Sequence, residues 1–223
     1  MHLFDKFGID KGLVSIIGSG GKTTLIKELA EELVEFGTVV VATSTKIYKP
    51  DYCQVIIEKD ISEEGKITEI INSTGIVCVG TSVITSEGEE KIASPITSFV
   101  KLKTMADYVL VEADGSKRLP LKAHASYEPV IPECTEKTIL VVGLGGLGRT
   151  IAEAAHRSEI YAKIAGASVT DTVTEAMIAD VINEENLADA VYITQISGCT
   201  GMQKARELSD MIWKPCILAD AHY

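Results

Sequence analysis

The feature that most constrains this chain is a glycine-rich turn between an apolar run and an amphipathic segment near the N-terminus. The β-branched run that ends at Gly18 predicts a buried strand, and apolar residues recur at helical spacing from Thr23 to Phe36. The turn reads Gly18-Ser19-Gly20-Gly21-Lys22-Thr23-Thr24. Glycines let such a turn curl until its N–H groups point at phosphate oxygens, and the helix start adds a positive dipole end. This order predicts a phosphate-binding loop.

The residue types of this loop predict a bound nucleoside triphosphate, ATP or another, together with Mg²⁺. All seven residues from Gly18 to Thr24 are expected to bind the nucleotide. Lys22 is expected at the surface of the loop, where its ammonium group would reach the outer phosphates and serve catalysis, and the Thr23 hydroxyl would ligate Mg²⁺. Ile16 stands where the usual pattern has its first glycine, and the shorter loop resembles that of the Mur ligases. The alternative is that the glycines only turn a strand into a helix.

A second apolar run, residues 106–111, is followed by the acids Glu112 and Asp114. Beside a phosphate loop, a carboxylate at a strand end can hold the metal or orient the attacking nucleophile. Both residues are therefore predicted to be catalytic and to bind the metal together with Thr23. The alternative for Asp114 is structural, since Asp-Gly is also a common turn pair.

Two polar loops carry the candidate substrate residues. Thr43 and Thr45 follow a predicted strand, residues 38–42, at the edge where open parallel sheets bind their ligands. The second loop concentrates four possible cations in an acidic chain: Lys117, Arg118, Lys122 and His124. Basic groups of this kind suit an anionic small molecule or cofactor intermediate as the substrate. For each loop the alternative is a solvated polar segment.

The composition restricts the partners. A net charge of −11 argues against non-specific binding to nucleic acid or to anionic membranes, which relies on Lys and Arg. The chain has no apolar run of membrane-spanning length, and its first residues lack a signal-peptide pattern, so a cytoplasmic location is expected. The five cysteines are scattered without metal-ligand spacing, which favours reduced thiols over a zinc site.

A later glycine pattern, Gly143-Leu144-Gly145-Gly146-Leu147-Gly148, raises the hypothesis of a dinucleotide site because it follows a predicted strand at residues 138–142. Such a site also needs a second strand that ends in an acidic residue about twenty residues further on. That position falls near Lys163, in a segment predicted to be helical. The pattern is therefore not expected to bind NAD.

The remaining periodicity predicts alternating strands and helices. Strands are expected at residues 54–57, 76–80, 190–193 and 215–219. Helices are expected around Glu63 to Ile71, from Pro95 to Met105, within Ser168 to Asn183 with Thr174 and Glu175 near the start, and after Gly201 through Trp213, while Gly37 ends the first long helix. Alternation of this kind predicts a single α/β domain over residues 1–223, with a mostly parallel sheet flanked by helices.

Ordered motifs add a family resemblance. Gly-Gly-Lys-Thr-Thr is followed by VEADGS at 111–116, PLKA at 120–123 and EPVIP at 128–132. Together with residues 141–144, Leu147-Gly148 and His156-Arg157, these motifs cover about two thirds of the chain. They resemble the family of selenium-dependent hydroxylase accessory proteins, also described as selenium cofactor biosynthesis proteins or YqeC-like phosphate-loop proteins. The resemblance implies one phosphate-loop α/β domain, linked to maturation of molybdenum hydroxylases that need a labile selenium.

The function implied is a Mg²⁺-dependent nucleoside-triphosphate-binding accessory enzyme in selenium and molybdenum cofactor maturation. Its partners would include a molybdenum hydroxylase or the proteins that mature it. Its chemical step would be hydrolysis of the triphosphate, or a transfer or ligation that the triphosphate drives. Two other functions fit the same motifs: an ATP-dependent ligase or kinase that acts on an anionic small molecule, and an adaptor that the nucleotide switches.

Overall fold

A computed structural model describes residues 1–84 and 88–220 of the chain. Strands and helices alternate, and most strand pairs are parallel, so the predicted α/β class with a mostly parallel sheet flanked by helices is confirmed. Over the described ranges, no helix is both long and apolar enough to cross a membrane. Backbone contacts divide the chain into two compact units. A single domain over 1–223 stays a prediction.

The first unit comprises Met1–Ile16, Thr23–Gly115 and Val130–Lys137. The helices that lie in it or begin next to it are α1 Leu3–Phe7, α2 Lys22–Leu33, α3 Glu64–Thr74 and α4 Phe99–Met105. The strands are β1 Gly12–Gly18, β2 Val39–Thr43, β3 Lys46–Ile47, β4 Gln54–Ile57, β5 Ile76–Ile84, β6 Glu90–Ala93 and β7 Tyr108–Glu112.

The sheet of the first unit is built around β7. This strand pairs in parallel with β1 on one side and β2 on the other, and β2 pairs in parallel with β5. Strand β5 also pairs in parallel with β4 and antiparallel with β6, which in turn pairs with β3. The register sets both Ile16 and Thr43 opposite Glu112. The strand ends that carry the predicted acid and hydroxyl residues therefore lie side by side.

One face of this sheet forms an apolar core with α3 and α4. Alternate residues of the strands point to this face because the side chains of a strand alternate between its two sides. Each Val, Leu or Ile side chain contributes roughly 1.5–3 kcal/mol when fully buried. The buried members of this core are Leu13, Val40, Ala42, Ile56, Ile67, Ile71, Val77, Val79, Leu102, Val109 and Val111.

Two helix boundaries in the first unit differ from the predictions. Helix α4 begins at Phe99 instead of Pro95, and the Ser98 hydroxyl caps it by accepting a hydrogen bond from the Lys101 amide. Residues 96 and 97 stay in a loop because the buried Glu58 carboxylate accepts their backbone N–H groups. Helix α2 ends at Leu33 instead of Gly37, and Phe36, beyond its end, lies 5.0 Å from the Phe4 ring.

The second unit comprises Ile17–Lys22, Ser116–Pro129 and the chain from Thr138 onward. The strands in or next to this unit are β8 Leu121–Lys122, β9 Lys137–Gly143, β10 Ala155–His156, β11 Ala190–Thr194 and β12 Cys216–Leu218. The helices are α5 Ile151–Ala154, α6 Ser158–Ile164, α7 Glu175–Glu185 and α8 Gly198–Met211. Strand β11 pairs in parallel with both β9 and β12, and the short strands β8 and β10 pair in parallel with each other.

The helices of the second unit confirm one predicted boundary and correct another. Thr174 caps α7, where its hydroxyl accepts a hydrogen bond from the Met177 amide, as the predicted helix start requires. Helix α8 begins at Gly198 instead of after Gly201, because the Gly201 amide already makes a helical hydrogen bond to the Ser197 carbonyl. The helix ends at Met211, since the Trp213 amide donates to the Asn183 side chain instead.

Candidate functional site

The predicted strand, turn and helix are present at the phosphate loop. Strand β1 ends at Gly18 and α2 begins at Lys22. Gly18 and Gly20 both have φ +88°, a backbone conformation that favours glycine. A Cβ atom at Gly18 would lie 2.3 Å from the Val141 carbonyl oxygen, and one at Gly20 would lie 2.6 Å from the Gly143 nitrogen. Glycine is therefore required at both positions by the backbone angle and by close packing.

Hydrogen bonds from distant strands hold the loop in this shape. The Ser19 amide donates to the Val141 carbonyl at 2.8 Å. The Thr194 hydroxyl lies 2.7 Å from the Gly20 carbonyl oxygen and 3.2 Å from the Val142 carbonyl oxygen. Thr194 was missed by sequence reasoning, because it lies 174 residues from Gly20 and no local pattern marks its contact with the loop.

The loop presents a set of hydrogen-bond donors. Lys22 is only 4% exposed, so its predicted position at the surface is wrong. Its ammonium group donates to the Gly18 carbonyl at 2.7 Å. Within the described part of the chain, the buried Ser19 hydroxyl has no hydrogen-bond partner. The first-turn amides of a helix also lack acceptors inside the helix. This set of donors suits a phosphate group.

An oxygen pair lies at the beginning of α2. The Thr23 hydroxyl is 3.3 Å from a carboxylate oxygen of Glu112, which ends β7 and is 8% exposed. Hydroxyl and carboxylate oxygens are ligands that Mg²⁺ prefers, and a Mg²⁺ ion that also binds phosphates needs only one or two carboxylates. No group of three or more His, Cys, Asp or Glu residues that could hold a metal occurs over residues 1–84 and 88–220. The Thr23–Glu112 pair therefore fits Mg²⁺ held partly by a nucleotide.

The threonine turn after β2 is tied to the same strand end. The Thr43 hydroxyl donates to the Glu112 carbonyl at 2.7 Å, and the Thr45 amide donates to the Thr43 hydroxyl at 3.0 Å. Thr43 is fully buried and Thr45 is partly exposed. Asp114, two residues beyond β7, is also fully buried. The structure thus brings Thr23, Thr43, Thr45 and Glu112 together, with Thr43 bracing the backbone of the acid.

Lys122 of the predicted basic loop is buried in an ion-pair network. Its ammonium group lies 3.1 Å from Glu128, and the Arg157 guanidinium donates twice to the same carboxylate, each time at 2.9 Å. Burial raises the pKa of Glu128, but the hydrogen bond from Arg157 and the charge of Lys122 outweigh it and bring the pKa to about 2. Glu128 is therefore ionised at neutral pH.

The other residues of the basic loop have different surroundings. The buried His124 ring nitrogen Nδ1 is 2.7 Å from one oxygen of Glu185, and the His124 amide donates to the other oxygen at 2.6 Å. Lys117 and Arg118 are exposed, with φ angles of +49° and +60°. Sequence reasoning missed the two carboxylate partners, Glu128 and Glu185. Glu128 lies in the EPVIP motif that supported the resemblance, but nothing local indicates that it pairs with Lys122.

The later glycine pattern has a packing role in the second unit. Residues Leu144–Gly146 form a 3₁₀ turn directly after β9, and the Gly145 amide donates to the Gln195 side chain at 3.2 Å. A Cβ atom at Gly143 would lie 2.5 Å from the same side-chain oxygen. Lys163 lies in helix α6, as predicted. Contact with Gln195 therefore accounts for glycine at this turn.

Comparison with known proteins identifies the family. The family model described as YqeC protein matches residues 14–159. A curated relative from Escherichia coli (strain K12), named "Uncharacterized protein YqeC", is 32% identical over 161 residues, which cover 69% of this chain. The matched region spans 60% of the length of that relative. No solved structure matches the chain significantly. The family match includes the phosphate loop, the strand-end acids and the Glu128–Arg157 pair, and it confirms the YqeC-like resemblance: the chain belongs to the YqeC family.

Proposed function

We propose that this protein binds a nucleoside triphosphate with Mg²⁺ and acts as an accessory enzyme in selenium and molybdenum cofactor maturation. The observation that carries the nucleotide proposal is the loop itself, in which Lys22 donates to the Gly18 carbonyl and the Ser19 hydroxyl is buried without a partner among the described residues. A buried hydroxyl that lacks a partner costs about 1–3 kcal/mol. An anion in the loop would supply the missing acceptor.

The residues divide the task between them. The loop amides and the Ser19 hydroxyl would bind phosphate oxygens, and the Lys22 ammonium would move from the Gly18 carbonyl to the outer phosphates. Thr23 and Glu112 would hold Mg²⁺, which neutralises phosphate charge when it is bound. Thr43 keeps Glu112 in place through its hydrogen bond to the backbone of that residue. Asp114 stays a second candidate for the metal or for orienting the nucleophile.

The selenium role in this proposal is supported by family membership and by the motifs at 111–116 and 128–132. Because the matched region spans 60% of the curated relative, the activity and partners of the whole protein belong to the proposal. A cytosolic protein that uses ATP or another triphosphate, with a molybdenum hydroxylase or its maturation proteins as partners, fits this role.

Replacing Glu112 with Gln is expected to weaken the Mg²⁺-dependent part of ATP binding by about tenfold or more, because an amide is a poorer ligand than a carboxylate. Binding in EDTA should stay nearly unchanged, since Glu112 acts through the metal. Calorimetric titration with ATP, with and without Mg²⁺, measures both values. Asp114→Asn tests the second acid in the same way, and Glu133→Gln, at an exposed carboxylate, is the control. Unaltered metal dependence in both acid variants would refute the role of these acids.

Deleting the gene in the organism that encodes it is expected to abolish the activity of its selenium-dependent molybdenum hydroxylase, because the cofactor would not be matured. Wild type and Lys27→Met should restore the activity, whereas Lys22→Met should not. Lys27 lies on the same helix as Lys22 but has a half-exposed side chain 3.9 Å from Glu31. Hydroxylase activity is assayed at matched protein levels. Normal activity in the deletion strain would remove the selenium role and leave the nucleotide proposal to be judged by binding alone.

A further inference from the structure

A cluster of cations in the second unit joins Lys122 of the basic loop to residues of β10 and the segment that follows it. The pairing of β8 with β10 sets Lys122 opposite His156, and Arg157 follows directly. The charged groups that act on the His156 ring include Lys122, Arg157, Lys117 and Glu128. We call Lys117, Lys122, His156 and Arg157, with Glu128, the His156 cluster. It contains three permanent cations and one carboxylate.

The His156 cluster has an excess of positive charge. Glu128 binds both Lys122 and Arg157 but carries only one negative charge. Burial lowers the pKa of His156, and the charges of Lys122 and Arg157 lower it further, although Glu128 opposes them. The ring is therefore neutral at pH 7 and lies in a positive local potential, in a chain whose net charge is −11.

The backbone at this cluster is strained. Lys117, Arg118 and Arg157 have φ angles of +49°, +60° and +62°. The left-handed conformation costs a non-glycine residue roughly 1–2 kcal/mol. Strain of this kind persists where the surrounding structure imposes it, and it concentrates at functional sites. Here it falls on two members of the cluster, Lys117 and Arg157, and on Arg118, which follows Lys117 directly.

The cluster is open to solvent on the side of Arg157. The Arg157 side chain is 23% exposed, and its guanidinium lies 5.1 Å from the centre of the Tyr127 ring, which is itself 68% exposed. Lys117 is exposed as well. Lys122 is buried, with its ammonium group 3.1 Å from Glu128, the carboxylate that also binds Arg157. An anion that reaches Arg157 would therefore meet exposed donors and, through the shared carboxylate, a site that also holds a buried cation.

We propose that the His156 cluster binds the oxyanion group, a phosphate or a carboxylate, of the substrate on which the nucleotide is used. This inference rests on the proposed function and names the chemical class of its substrate. Arg157 and Lys117 contact the anion, Lys122 strengthens the field, and Glu128 positions Arg157 and Lys122. His156 contacts the anion and gains a proton when it binds. His124, which the sequence suggested for this role, is instead paired with Glu185.

The test follows the His156 ring by NMR titration over pH 5 to 8, with sodium phosphate, sodium acetate or sodium chloride added at equal ionic strength. Phosphate or acetate is expected to raise the pKa of His156 by about half a unit or more above its value in chloride, because a bound anion stabilises the protonated ring. The anion that raises it more identifies the preferred oxyanion. Equal values in all three salts would mean screening alone and would overturn the proposal.

Single substitutions test which residues bind the anion. Arg157→Gln should weaken phosphate or acetate binding by about tenfold or more, since it removes a charge-assisted donor. Lys117→Gln, at an exposed residue, should also weaken binding, whereas Lys163→Gln, exposed on α6, should not. Unchanged binding in both Arg157→Gln and Lys117→Gln would overturn the proposal.

The phosphate loop needs a separate control because it could also take up inorganic phosphate. Lys22→Met should lose nucleotide binding and keep the phosphate-dependent shift of His156. A shift that disappears in Lys22→Met would place the phosphate at the loop and overturn the His156 site. If wild type binds no nucleotide but still shows the shift, the proposed nucleotide function fails and the oxyanion site stands. If wild type binds nucleotide without the shift, only the oxyanion proposal fails.

Discussion

Replacing Lys22 with Met is expected to lower the affinity for Mg²⁺·ATP by about a hundredfold or more, with turnover lost to at least the same extent. The ammonium group at the start of α2 is the one expected to meet the outer phosphates. Attraction between a cation and a phosphate at contact is about 4 kcal/mol at an effective dielectric near 20, before desolvation. Even a part of that attraction, when lost, is enough to lower the affinity by the expected factor.

Met is the appropriate replacement because Lys22 is buried. The residue is only 4% exposed, so Ala would leave a cavity in addition to removing the charge. Met keeps most of the volume of the alkyl chain and removes the ammonium group, which donates to the Gly18 carbonyl. Calorimetric titration with Mg²⁺·ATP and Mg²⁺·GTP measures the affinity, and thermal unfolding checks the fold.

Lys27→Met is the matched control for this experiment. Lys27 lies on the same helix, with its ammonium group 3.9 Å from Glu31 and 5.7 Å from the centre of the Tyr52 ring. Its replacement should leave the affinity for Mg²⁺·ATP unchanged within about twofold. The fold should also be intact, since a surface ion pair contributes little to stability. Wild-type affinity in Lys22→Met, with the fold intact, would refute the phosphate-loop assignment.

Glu128→Gln is expected to lower the free energy of unfolding by about 3–5 kcal/mol at pH 7, because it removes the carboxylate charge that lies 3.1 Å from the ammonium group of the fully buried Lys122 side chain. The Arg157 guanidinium loses its bidentate carboxylate partner at the same time. Urea unfolding at pH 7 measures the loss. Glu159→Gln, at an exposed carboxylate of α6, is the control and should change stability by less than about 0.5 kcal/mol.

The difference in unfolding free energy between wild type and Glu128→Gln is expected to depend on pH. The pKa of Glu128 is about 2 in the folded protein, against an ordinary value of 4.5. A carboxyl group whose pKa is lower in the folded state stabilises the fold above its unfolded pKa and loses that contribution as it becomes protonated. The difference in stability between wild type and Glu128→Gln should therefore be full above pH 5 and shrink as the pH falls from 4.5 towards 2. A difference that stays constant over this range would contradict the ionised state of Glu128.

The helix boundaries show which structural features a sequence pattern can predict and which it cannot. Pro95 is a reasonable first residue for a helix, yet α4 starts at Phe99 because Glu58, almost forty residues earlier, binds the amides of residues 96 and 97. The start of α7 near Thr174 was predicted correctly, and there the Thr174 hydroxyl and the amide that it binds are only three residues apart. A hydrogen bond between residues close in sequence can be predicted from a short sequence pattern. A hydrogen bond between distant residues cannot.

The partners of the basic loop likewise could not be predicted from the local sequence. Sequence alone groups Lys117, Arg118, Lys122 and His124 as cations of one loop. In the folded chain Lys122 pairs with Glu128 and His124 with Glu185, whereas Lys117 and Arg118 stay exposed. The charge that a substrate would meet therefore depends on carboxylates that the loop sequence does not contain.

The sequence by itself determined the strand, glycine turn and helix of the predicted phosphate loop, the α/β class and the YqeC family, because backbone angles, hydrophobic periodicity and sequence motifs depend on neighbouring residues. Only the tertiary structure decided that Lys22 is buried against the Gly18 carbonyl, that Thr194 holds the loop and that Arg157 joins Lys122 on Glu128. Burial and ion pairing depend on which distant segments the fold brings into contact, and they set the charge of each group and its access to solvent.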